Sequence, residues 1–84
     1  MSDLEAELFR TQLKLNSLEA RRHREGLAEF LETVVNDFAS LQPEVRDLMM
    51  EVVDEAAQEA VRLREVYDTA LTKMRQIKEN AGEQ

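Results

Sequence analysis

The chain has a single histidine, His23, set in the basic run Arg21-Arg22-His23-Arg24. Imidazole can accept a phosphoryl group, ligate a metal or carry a proton near neutral pH, so His23 is the first candidate for chemistry. A phosphoacceptor needs exposure and nearby cations. The helical spacing instead places His23 in a row of apolar residues, as a partly buried seam histidine. Di-iron helical bundles use Glu-x-x-His pairs, but residue 20, three before His23, is alanine. Nucleophilic catalysis needs a nucleophile, a base and an orienting group together. With one histidine and no cysteine, Ser17, Ser40 and Tyr67 have no evident activator. No catalytic, metal, cofactor or small-molecule site is assigned, and the chain reads as a non-enzyme.

The basic run also suggests nucleic-acid binding, with Arg10, Arg62, Arg64, Lys73 and Arg75 as further contacts. Such binding rests on several phosphate contacts spread over one face. On a helix, four consecutive residues point in different directions, and Glu25, Glu59 and Glu65 are placed to neutralise them. Nucleic-acid regulation through Arg21–Arg24 is the alternative to a protein-binding role.

Charge supports that order. Net charge is −7 over 84 residues. Residues 25–59 hold ten acids against one base, Arg46, a net −9, while the remainder holds eight acids against ten bases. An acidic middle repels nucleic acid and favours basic partners. There is no long apolar run to cross a membrane, and Met1-Ser2-Asp3-Leu4-Glu5 does not read as a secretory signal. The expected location is cytoplasmic.

Ala, Glu, Leu and Arg recur, with two glycines and one proline, so helix is favoured almost throughout. Ser2 with Glu5 forms a capping box that starts a helix. Leu41-Gln42-Pro43 breaks it, since proline suits only a first turn. Asn80-Ala81-Gly82 ends the second helix. The expectation is all-α: two long helices, roughly 3–41 and 43–79, folded into an antiparallel hairpin that dimerises into a four-helix bundle. Residues 1–84 form one domain with a short disordered tail at about 81–84. The alternative is a three-helix bundle with helix 1 broken at Gly26. No internal repeat is evident.

One seam follows Ala6, Phe9, Leu13, Asn16, Ala20, His23, Leu27, Phe30, Val34 and Leu41, flanked by Leu31 and Phe38. A second follows Val45, Met49, Val52, Ala56, Ala60, Leu63, Tyr67, Leu71, Met74 and Ile77. Folding at Gln42 pairs Phe9 with Met74, Leu13 with Ala70 or Leu71, Ala20 with Leu63 and Leu27 with Ala56, and sets Asn16 near Tyr67.

The hairpin does not use a separate row, Leu4, Leu8, Thr11, Leu15 and Leu18, which repeats at coiled-coil spacing. Its four leucines are assigned to self-association. Internal burial of the row, by a bent first helix or by a third segment made by a break at Gly26, and a face for a different protein are the other readings. Phe38, Met49 and Met50, rimmed by Glu44, Asp47, Glu51 and Asp54, are assigned to a protein partner, since methionine adapts to irregular surfaces. The functional expectation is a non-catalytic homo-oligomeric interaction protein, of the physical type of a small acidic helical adaptor, chaperone or inhibitor.

Overall fold

A computed structural model describes residues 2–82. It contains four helices: α1 (Asp3–Ala20), α2 (Arg24–Phe38), α3 (Pro43–Glu59) and α4 (Arg64–Gly82). The all-helical expectation holds, but the two-helix hairpin and the three-helix alternative do not. An unbroken 3–41 helix would run about 57 Å, whereas the longest dimension of the fold is 36 Å. α4 continues through Ala81 and Gly82, and residues 83 and 84 of the expected tail lie outside the described residues.

Two starts follow the sequence closely. The Ser2 hydroxyl accepts the Glu5 N–H at 3.2 Å and opens α1. Gln42 ends the connection and Pro43 takes the first turn of α3. Proline's missing N–H is one that a first turn leaves unbonded anyway.

The first break within the expected 3–41 helix lies just before Gly26, close to where the three-helix alternative put it. Arg21 closes α1 and His23 adopts extended backbone, φ −152° and ψ 158°. His23 is exposed, not in the seam. Its Nδ1 accepts the Gly26 N–H at 2.9 Å and caps α2. A Cβ on residue 26 would lie 2.8 Å from His23 Cε1 and 3.3 Å from the Ala20 carbonyl oxygen. Glycine therefore makes room for the capping ring, and the break itself sits at Arg21–His23.

The second break, at Ala60–Leu63, carries neither glycine nor proline. Ala60 turns extended, φ −82° and ψ 133°, and closes α3. The Leu63 carbonyl then accepts the N–H groups of Val66 and Tyr67 as α4 starts.

Pairings fix the packing. Arg10 reaches Glu51, and Arg21 reaches the Ala56 carbonyl, so residue numbers rise together and α1 lies parallel to α3. Arg24 pairs with Glu65, while Glu32 and Val35 line a groove with Ala70 and Lys73, so α2 lies parallel to α4. Lys78 meets Asp47 at 2.9 Å, so α3 and α4 run antiparallel. The architecture is two stacked helical pairs, α1–α2 on α3–α4. The expected hairpin would pair α1 with α4 and α2 with α3; these are not the main contacts.

The stack has a period. Asp3 to Pro43 and Arg24 to Arg64 are each shifts of 40 residues. At that offset buried residues match buried residues: Leu13 with Val53, Ser17 with Ala57, Leu27 with Tyr67, Leu31 with Leu71, Val34 with Met74. The two turns also match, as Glu19-Ala20-Arg21-Arg22-His23-Arg24-Glu25 and Glu59-Ala60-Val61-Arg62-Leu63-Arg64-Glu65, identical at five of seven positions. The chain does contain an internal repeat, concentrated at the turns. Stacked repeats bury apolar faces that one helical pair would leave wet.

Nine of the twenty expected seam residues are buried and seven more pack against them; the flanking Leu31 and Phe38 are buried too, with Ala70, and Leu48, Val53 and Ala57 are added. Leu48, Val53 and Ala57 were missed because α3 is flanked by both α1 and α4 and buries more than one stripe. Asn16 is exposed and accepts the Gln12 amide instead of meeting Tyr67.

Two variants test the break. Gly26→Ala in a helix is ordinarily worth about 1 kcal/mol of stability. Here the methyl displaces the capping ring, so urea unfolding should show no such gain. In a His23→Ala background the gain should return, giving a coupling above about 0.5 kcal/mol in the double-mutant cycle. Additive effects would mean that ring and glycine act independently.

Candidate protein-interaction surface

The elements around the first turn are tied by one side chain. Arg21 folds inward. Its Nε donates to the Tyr67 hydroxyl at 2.6 Å and its Nη2 to the Ala56 carbonyl at 2.5 Å. The guanidinium lies 5.3 Å from the Tyr67 ring centre. Tyr67 is wholly buried, and its hydroxyl shares a 3.0 Å hydrogen bond with buried Ser17. Ala56 is in the last turn of α3, where carbonyls lack helical partners, so Arg21 caps α3 from another helix. Arg46 does the same for α2, donating to the carbonyls of Phe38 and Ala39.

These contacts disperse the basic run. Arg21 is committed to the interior and Arg24 is paired with Glu65, while Arg22 is exposed. His23 is exposed beside the Arg62 and Leu63 turn, with Glu59 in the same groove. Among the described residues no group of three or more His, Cys, Asp or Glu side chains is placed to hold a metal ion. No helix there is long and apolar enough to cross a membrane.

The leucine row stands apart. Leu4, Leu8, Leu15 and Leu18 are 70, 62, 55 and 46% exposed. At 100° per residue the row lies about half a turn around α1 from buried Leu13 and Ser17. The internal-burial reading is thereby excluded for this fold. Contiguous exposed apolar surface of a few hundred Å² marks interaction sites. The repeat sharpens this. Leu4, Leu8, Thr11 and Leu15 correspond, forty residues on, to Glu44, Leu48, Glu51 and Glu55. Those residues form the side of α3 that receives α1: Glu44, Leu48 and Glu51 around Ala6, and Glu55 around Lys14 and Ser17. Leu4, Leu8, Thr11 and Leu15 thus occupy a helix-receiving position with no helix on it among the described residues, while Leu18, which matches Gln58, borders the groove against Val52, Glu55 and Ala56 of α3.

The second predicted set is divided by the fold. Phe38 is fully buried and Met49 is 6% exposed, so both are core and offer a partner nothing. Arg46 and the stacked pairs enclose Phe38. Met50 is half-buried and lines a groove with Asp47, Glu51 and Asp54. Asp47 accepts from Lys78, Glu51 from Arg10 at 3.4 Å, and Asp54 from the Gln58 amide at 3.2 Å. Glu44 is exposed at the start of α3. The carboxylates form an edge along α3, partly answered by the protein's own bases.

Sequence reasoning missed Arg21 as a structural tie and Val61, 91% exposed at the second turn. The duplicated Glu-Ala-x-Arg-x-Arg-Glu turn was the available signal for both.

Tyr67→Phe tests the tie. It leaves Arg21 Nε and the Ser17 hydroxyl without their shared partner, and should cost about 1–3 kcal/mol, read as a lower thermal midpoint by circular dichroism. A loss within about 0.5 kcal/mol, ordinary for a surface change, would show that the hydroxyl carries no load.

Comparison with protein-family models, with curated proteins and with solved structures finds no match to this chain.

Proposed function

We propose that this chain is a non-catalytic protein–protein interaction protein that works as a homo-oligomer through the outer face of α1. The observation that carries the reading is the row Leu4, Leu8, Leu15 and Leu18, opposite the core and about half exposed or more. A fold of this size buries little apolar surface to spare. Leaving four leucines in water on one helix face is costly, and covering them is worth roughly 25 cal/mol per Å² removed from water. A receiving face at the equivalent place on α3 is already covered by a helix. The acidic edge of Glu44, Asp47, Glu51 and Asp54, with Met50 at its margin, is the face offered to a different, basic protein partner. The basic run forms no comparable surface, because Arg21 and Arg24 are engaged within the fold.

Leu8→Arg with Leu15→Arg tests the reading by light scattering. Both side chains are exposed, so the helical content should stay while the particle mass falls to that of one 9.7 kDa chain. A wild-type protein already at one-chain mass at high micromolar concentration, or a variant of unchanged mass, would sink it. At the acidic edge, neutralising Asp47, Glu51 and Asp54 together should weaken capture of basic helical peptides; undiminished capture counts against that face.

A further inference from the structure

The homo-oligomeric reading leaves open how two copies meet, and the residues beside the leucine row bear on it. On α3 the receiving face carries Glu51, which takes Arg10 from α1. At the matching places on α1 the carboxylates of Glu44, Glu51 and Glu55 are replaced by Leu4, Thr11 and Leu15. An occupant there meets an apolar strip and needs one of its own. Among the described residues the exposed large apolar side chains are the four leucines of this row and Val61. The surface on this molecule that matches the row is therefore the same row on a second copy. A patch that binds itself makes a two-fold contact, which closes and does not run on into fibres.

The row nearly mirrors itself about Thr11. Leu8 and Leu15 lie three before and four after it, and Leu4 and Leu18 lie seven to either side. Charge then selects the direction. On one flank stand Glu7 and Lys14, four before and three after the same centre. In an antiparallel pair each Glu7 faces Lys14 of the other copy, twice by symmetry. A parallel pair instead gathers Asp3, Glu5 and Glu7 of both copies at one end, and sets two helix N-termini together. Glu7 has one weak tie within its own chain, to Arg10 at 3.4 Å, and its second oxygen is open to a lysine. The other flank brings Glu5 toward Glu19 of the second copy. Both are exposed long side chains, so their repulsion is screened by solvent and salt.

We propose that two copies of this chain pair through α1 in antiparallel orientation, Leu4 against Leu18 and Leu8 against Leu15, with two symmetry-related Glu7–Lys14 pairs along one edge. The proposal rests on reading α1's outer face as the self-association seam.

The protein has no cysteine, so single ones report geometry cleanly. Glu7→Cys and Lys14→Cys are made separately in the full chain and oxidised alone or mixed. The mixture should give a 7-to-14 disulfide-linked dimer, and each variant alone should stay largely uncrosslinked. Charge reversal is the second measurement: Glu7→Lys or Lys14→Glu alone should weaken the dimer roughly tenfold, and the doubly reversed chain should recover most of that loss. Efficient crosslinking of Glu7→Cys with itself, or no recovery in the double reversal, overturns the antiparallel pairing while leaving self-association through the leucines intact. One-chain mass for the unaltered protein removes both.

Discussion

The hydrogen-bonded tie of Arg21, Tyr67, Ser17 and Ala56 joins three helices at one point. It links the end of α1, the last turn of α3 and the first turns of α4. A helix end needs partners for its last carbonyls, and a buried tyrosine needs one for its hydroxyl. Both needs are met by a single guanidinium, whose planar fork can donate in two directions. Remove it and two groups, the Tyr67 hydroxyl and the Ala56 carbonyl, lose a partner together. The parallel stacking of α1 on α3 then has no fixed register at that end.

That stacking explains why a short, cysteine-free chain folds. Each helical pair alone has too little apolar surface to offset the entropy of ordering it. Stacked at a forty-residue offset, the pairs cover each other with Leu13, Leu27 and Leu31 from one and Val53, Tyr67 and Leu71 from the other. The same logic exposes the cost of an end. α3 is covered by α1, while among the described residues no helix covers the outer side of α1, which is lined by leucine where α3 carries glutamate. The outer face of a stack of repeats usually presents polar side chains to water; on α1 it presents leucines.

The turns show a division of labour. His23 and Gly26 set the first turn by local chemistry, a ring accepting one N–H and a glycine leaving space for it. The second turn has no local device of that kind. Its helix is capped from a distance by Arg21. Two turns of nearly the same sequence are therefore held by different means, one by its own residues and one by its neighbour's.

The amino-acid sequence by itself determined the helical class, the start at Ser2, the turn before Pro43, most of the core and the exposed leucine row. These depend on local propensity, capping and 3.6-residue periodicity, which act within a few residues. Tertiary structure decided the rest. The breaks at Arg21–His23 and Ala60–Leu63 give no gain to an isolated helix; they are repaid when two pairs stack, and the second also needs the cap that Arg21 supplies from a distance. The burial of Phe38 and Met49, and the inward turn of Arg21, follow for the same reason. Periodicity says which side of a helix is apolar, but not which other helix will cover it.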